Sequence, residues 1–184
     1  MKSIIAFAAA MLVASPVYAA EPAAPSPATA TEHAVGPVNT DEPTRRALVL
    51  ATLQRQCAYL HDENYDGYKN TLTPDFRRMG PITQDEGRDE VVKRARRGAG
   101  PGALKTVSCD VEIVRTMPTP TGPFAEYIET DHMEMSGTKM DIVVRATADF
   151  VPGPDATLLQ QSMHRSGFKF VVGGKIIHQE GSLD

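Results

Sequence analysis

The chain has 184 residues, 41% hydrophobic and 23% charged, with 14 Gly, 14 Pro, 2 Cys and no Trp, which is room for one ordinary domain and excludes a wholly disordered or collagen-like chain. Its formal charge of -4, with acids and bases interspersed, offers no basic surface for a polyanion, so no nucleic acid is expected as a partner.

Lys2, the apolar run from Ile4 to Val13 and the small-residue site Val17-Tyr18-Ala19 have the layout of a secretory signal peptide over residues 1–20, cleaved near Ala19 or Ala20. The run is shorter than the roughly 18 apolar residues a bilayer span needs, and no later segment approaches that length, so a periplasmic or secreted protein without a membrane span is expected. No cysteine follows the run to carry a lipid anchor. Residues 21–39, EPAAPSPATATEHAVGPVN, have no periodic apolar face and read as a flexible Ala/Pro-rich linker in which His33 is solvated. A single domain over residues 40–184 follows.

The first element of that domain is a helix. Thr40 or Asp41 can cap it, Pro43 suits its first turn, and Leu50, Leu53, Cys57 and Leu60 form one apolar stripe. The turn Asp62-Glu63-Asn64-Tyr65-Asp66-Gly67 leads into a short helix carrying Tyr68 and Leu72, and Thr73-Pro74-Asp75-Phe76 reads as a break. Thr83 and Glu86 suggest a capping box for a third helix that ends at Gly98 and Gly100. Val107, Cys109, Val111 and Ile113 then alternate with polar residues, which is strand periodicity, and three further strand-like stretches run from about Ala125 to the end.

Helices followed by an antiparallel meander indicate an α+β domain with three N-terminal helices packed on a curved, mostly antiparallel sheet. With Ser136-Gly137-Thr138-Lys139 as a turn, Met133 pairs with Ile142, Asp131 with Val144, Glu129 with Ala146 and Tyr127 with Ala148. Glu129 and Asp131 then share a face with Met140, Ile142, Val144, Ala146, Ala148 and Phe150, so two carboxylates point at the core. The other face collects Thr130, His132, Glu134, Asp141, Arg145 and Asp149, with His164 and His178. After a turn at Pro152-Gly153-Pro154-Asp155, Leu159, Met163, Gln161 and Arg165 are expected to rejoin the inner face. Gly173-Gly174 is a strong hairpin signal.

The order of these elements resembles the nuclear transport factor 2-like superfamily, which includes SnoaL-like and ketosteroid-isomerase-like proteins. Its carriers are Asp62-Glu63-Asn64-Tyr65-Asp66-Gly67-Tyr68, Leu72-Thr73-Pro74-Asp75-Phe76, Glu86-Gly87-Arg88-Asp89-Glu90-Val91-Val92 with its G-R-x-x-V pattern, and Gly173-Gly174-Lys175-Ile176-Ile177-His178-Gln179. The resemblance implies a cone-shaped fold, a pocket between the first helix and the concave sheet face, and a homodimer through the outer sheet face. It does not imply one reaction. In ketosteroid isomerases a tyrosine on the first helix and a carboxylate before the third move the proton. The corresponding positions here are Gln56 and Gly80, neither of which titrates near neutral pH, and Tyr59 lies about one helical turn away.

The candidate chemistry therefore rests on Glu129 and Asp131, about 7 Å apart at their Cα atoms on one strand face. One member with a raised pKa could act as general acid and the other as general base, with Arg165 or Tyr127 stabilising an oxyanion. The bland alternative is a structural ion pair with Arg165, or exposure at the cone mouth. Tyr59, Tyr127, Met133, Val144, Met163 and Arg165 are the predicted ligand-binding residues, the methionines lining a malleable apolar pocket. Cys57 and Cys109 project into one helix–sheet interface, either as a disulfide worth about 4 kcal/mol or as two buried thiols.

Other signals carry less. Asp62-x-Asn64-x-Asp66-Gly67 opens like a calcium loop, but its twelfth position is Thr73, so a helix–helix turn accounts for it better. Lys93-Arg94-Ala95-Arg96-Arg97 suits a solvated helix end. No spacing for zinc, phosphate-binding loop or nucleophile elbow is present, so neither metal nor cofactor is expected. Two function classes remain: a protein that binds a small apolar molecule or acts as an accessory module, and a cofactor-independent lyase, isomerase or hydrolase using Asp131 and Glu129.

Overall fold

A computed structural model of the chain describes residues 41–80, 85–97 and 104–183. The expected signal peptide and linker, and the expected capping positions Thr83, Gly98 and Gly100, lie outside the described residues. Helix α1 spans Glu42–His61; Asp41 caps it by accepting a 3.0 Å hydrogen bond from the Thr44 amide, with Pro43 in the first turn. Its buried stripe runs through Val49, Leu53, Gln56 and Cys57, with Leu50 and Leu60 half-buried at its borders. Helix α2, Tyr65–Lys69, is capped by Asn64, whose side chain accepts from the Gly67 amide. The Asp62–Gly67 segment is therefore a helix–helix connection. A Cβ on Gly67 would lie 2.8 Å from the Tyr59 ring, so glycine permits α2 to fold back on α1.

The predicted break after α2 is instead a strand, β1 (Leu72–Met79), paired antiparallel with the two-residue β2 (Glu86–Gly87). Strands thus intervene between α2 and α3 (Arg88–Arg97), and the three helices do not form an uninterrupted N-terminal layer. Glu86 does not cap α3 either; its carboxylate is buried between Arg78 and Arg94. Pro74 misled the sequence reading: it lacks only a donor, and a strand tolerates that at an edge or irregularity. Such an irregularity falls between Leu72 and Arg77.

Four strands follow β3 (Lys105–Pro118), one more than predicted: β4 (Pro123–Met135), β5 (Thr138–Pro152), β6 (Leu158–Val172) and β7 (Lys175–Gly181). The curved seven-stranded sheet has the order β2-β1-β6-β5-β4-β3, with β7 also pairing β6; the β1–β6 pair is parallel and the others are antiparallel.

The β4–β5 hairpin turns on two residues, Ser136 (φ 51°) and Gly137 (φ 80°), the left-handed pair a tight primed turn requires. This moves the register two residues from the predicted one: Met133 pairs with Met140, Asp131 with Ile142, Glu129 with Val144 and Tyr127 with Ala146. A two-residue shift conserves the face, so the carboxylates still point inward. Along β6 the inward residues are Leu158 and Gln160, then Met163 and Arg165, because the register slips opposite Asp149–Phe150. Leu159 and Gln161, expected inside, are only half-buried.

Between α1 and the sheet lies the core, built on Val49, Leu53, Phe76, Tyr127, Val144 and Phe150. Cys57 of α1 is bonded to Cys109 of β3, with Cα atoms 6.0 Å apart, so the disulfide alternative is the one realised. Among the described residues no helix is long and apolar enough to cross a membrane.

Candidate functional site

A cavity of about 800 Å³ opens at the C-terminal end of α1. Gln56 and Leu60 border it from α1, Tyr68 from α2, Arg78 from β1 and Arg94 from α3; Glu129, Asp131 and Met133 of β4 and Met163 and Arg165 of β6 form the sheet wall. Five of the eight predicted site residues, Glu129, Asp131, Met133, Met163 and Arg165, are brought together here. Three are not. Tyr127 and Val144 share the inward face but are 0% and 1% exposed in the core, and Tyr59 packs against Gly67. Facing inward decides the side of a sheet; depth along the strand decides whether a side chain reaches the cavity or the packed core.

The carboxyl pair has a structural origin. Asp131 stands opposite Cys109 and Glu129 opposite Val111 on β3, so the disulfide to α1 roofs the pair. A carboxyl oxygen of Glu129, one of Asp131 and the Cys109 sulfur lie within 4.8 Å of one another. Because that sulfur is bonded to Cys57, it offers no thiolate to a metal. Burial pushes the Glu129 carboxyl up to about 8, with the Asp131 charge adding and Arg165 and Arg78 opposing. Burial likewise pushes Asp131 up to about 6, against the pull of Arg165 and His132. Near neutral pH the pair therefore holds one proton between two carboxyls.

The guanidinium groups differ in what they bind. Arg78, missed in the sequence because β1 was read as a break, donates both Nε (3.1 Å) and Nη2 (2.5 Å) to Glu86 Oε2; the alternation of Phe76 and Arg78 was the available signal. Arg94 donates to the other Glu86 oxygen. Burial raises the Glu86 pKa, and the bonds from Arg78 and Arg94 outweigh it, leaving the carboxylate ionised below its usual range. Arg165, by contrast, has a buried Nε without a hydrogen-bond partner and no ion pair among the described residues. Burial lowers its pKa, as does nearby Arg78, whereas Glu129 raises it. The structural ion pair expected as the bland alternative for Arg165 is thus not formed among the described residues.

Gln56 borders the cavity and donates from Nε2 to Gln160 Oε1 at 3.1 Å; Gln160 in turn donates to the Tyr127 hydroxyl at 3.4 Å. Tyr127 is thereby committed to the core, not to an oxyanion. Tyr68, also missed, has its pKa raised chiefly by burial, with Arg78, Glu129, Arg165 and Asp131 close enough to act on it. The cavity wall mixes Gln56, Arg78, Glu129, Asp131 and Arg165 with Leu60, Met133 and Met163, so charged and polar groups stand beside the apolar lining expected from the sequence. On the outer face, His132 bridges Asp141 (2.8 Å) and Asp110 (3.0 Å), while His164 and His178 are exposed.

No protein-family model matches the sequence, and no curated protein matches it. Solved structures do match the fold. A conserved protein from Planctomyces limnophilus superposes with a TM-score of 0.59 at 8% identity, over 71% of this chain and 98% of that one. A ketosteroid isomerase-like protein from Erwinia carotovora gives 0.51 at 12% identity, over 65% and 92%. An NTF2-like protein of unknown function from Prochlorococcus marinus gives 0.53 at 14% identity, over 65% and 90%. At these identities the likeness concerns the backbone, and it agrees with the element order read from the sequence: the fold is that of the nuclear transport factor 2-like superfamily.

Proposed function

We propose that this is a periplasmic or secreted protein that binds a small molecule in the cavity between α1 and the sheet. The observation that carries it is the set of charged groups gathered on the cavity's sheet wall, Arg165 of β6 with Glu129 and Asp131 of β4, none of them in an ion pair among the described residues. Buried ionic groups are costly to fold around without partners, and a complementary ligand supplies them. A volume of about 800 Å³ falls in the range of small-molecule sites. The leader-like segment and the disulfide both support an oxidising compartment, and the outer sheet face is the proposed homodimer surface, to be checked by light scattering. The binding test is an amide NMR screen of small molecules against the full chain. Binders are expected to shift Gln56, Tyr68, Glu129 and Met163; no binder, or shifts confined to the outer face, would contradict the proposal.

The shared proton favours a second reading, a cofactor-independent lyase, isomerase or hydrolase in which the ionised carboxyl takes a proton from the ligand and the neutral one returns it. Its test is deuterium exchange at a bound ligand's acidic C–H in D₂O, expected to be lost in Glu129→Gln and Asp131→Asn. Exchange unchanged in both variants would reject this chemistry while leaving binding intact.

A further inference from the structure

The wall of the cavity also specifies a chemical class of ligand, an inference that rests on the binding reading above. Arg78 cannot hold a ligand anion with its Nε and Nη2, because both already donate to Glu86. Arg94 is likewise bonded to Glu86 and is largely solvated. Arg165 is the guanidinium at the cavity wall without a hydrogen bond or ion pair among the described residues, and its Nε is sealed from water. A guanidinium presents two parallel N–H groups to a planar oxyanion, and a carboxylate matches that fork. On the same sheet wall, one strand removed across β5, the Glu129–Asp131 pair presents one neutral carboxyl that can donate to a second oxygen on the same ligand. Leu60, Met133 and Met163 supply apolar surface to the same cavity, with methionines that adapt to an irregular body.

We propose that the cavity takes a small monocarboxylic acid with an apolar body, its carboxylate held by Arg165 and a further oxygen or edge of the molecule facing Glu129 and Asp131. A neutral apolar ligand, the expectation from the sequence, would leave the sealed Arg165 Nε without an acceptor.

The test compares 3-phenylpropanoate with its methyl ester by calorimetry and amide NMR on the full chain at neutral pH, with the neutral dye Nile red as a third probe. The acid is expected to bind at least tenfold more tightly than the ester, shifting Arg165 and Met163, and Arg165→Met should remove that preference. Arg165→Lys, which keeps the charge but not the fork, should retain part of it. Should Arg165→Met fail to fold by circular dichroism, the acid-to-ester ratio in the wild type and in Arg165→Lys decides. An ester bound as tightly as the acid, or an acid preference untouched in Arg165→Met, would overturn the assignment. Nile red bound in the cavity without any binding of the acid would overturn it while leaving the binding reading in place; no binding of any of the three would overturn both.

Discussion

Glu129 and Asp131 stand two residues apart on the inward face of β4, with a carboxyl oxygen of each within 4.8 Å of the other and of the Cys109 sulfur. Two like charges at that separation under a disulfide roof cannot both ionise without cost, so the proton they share is a property of the fold. The consequences are measurable.

The first concerns stability against pH. Glu129 has a folded pKa near 8 against an ordinary 4.5. A raised folded pKa means that the native state holds the proton more tightly, so its stabilising contribution is full below about pH 4.5 and is lost as pH rises toward 8. Glu129→Gln stays neutral throughout. In urea titrations the variant should match the wild type near pH 4 and exceed it by several kcal/mol at pH 8.5. A variant equally or less stable at pH 8.5 would contradict the burial of this charge.

The disulfide ties α1 to β3 across 52 residues. Replacing both cysteines by alanine should cost about 4 kcal/mol through the unfolded state. Since Cys57 follows Gln56 at the cavity border, amide exchange around Gln56 should accelerate more than exchange in the β5–β6 core. Equal protection in both forms would show that the bond does not hold the cavity roof.

The Arg78–Glu86–Arg94 cluster separates a buried ion pair from an exposed one. Arg78 and Glu86 side chains are each 9% exposed, whereas Arg94 is 60% exposed. Glu86→Ala strands a buried guanidinium and should cost about 3–5 kcal/mol. Arg94→Ala should cost about 1 kcal/mol or less, because Arg78 still satisfies the carboxylate. Comparable losses in the two variants, read from denaturant midpoints, would refute that ordering.

Val144 and Met163 test the boundary between core and cavity. Val144 is 1% exposed in the core and does not reach the cavity; Met163 belongs to both. Val144→Ala should destabilise by about 2 kcal/mol and leave ligand affinity within twofold, whereas Met163→Ala should change affinity as well. A large affinity change in Val144→Ala would return that residue to the binding wall.

Much of this arrangement is legible in the sequence because it depends on parity and punctuation. Asp41 and Pro43 mark the start of α1, Gly173-Gly174 marks the last hairpin, and alternation places Glu129 and Asp131 inward even when the turn is misjudged by two residues. What depends on long-range pairing is not legible. β1 joins β6 in parallel from 88 residues away at the Leu72–Gln160 pair, and Pro74 disguises it, so Arg78 is not legible as a site residue. A slip in the β5–β6 register exchanges Leu159 for Leu158 on the inner face. Tyr127 and Val144 show the remaining gap: alternation gives the side of the sheet but not the depth, and depth separates a packed residue from one at the cavity wall.

The central claim is that two inward carboxyls share a proton near neutral pH, and side-chain carboxyl carbon NMR of the full chain across pH 3 to 10 tests it most directly. The account predicts that Asp131 titrates near 6 and Glu129 near 8, each perturbed when the other is replaced by its amide. Two independent titrations complete below pH 5 would contradict it.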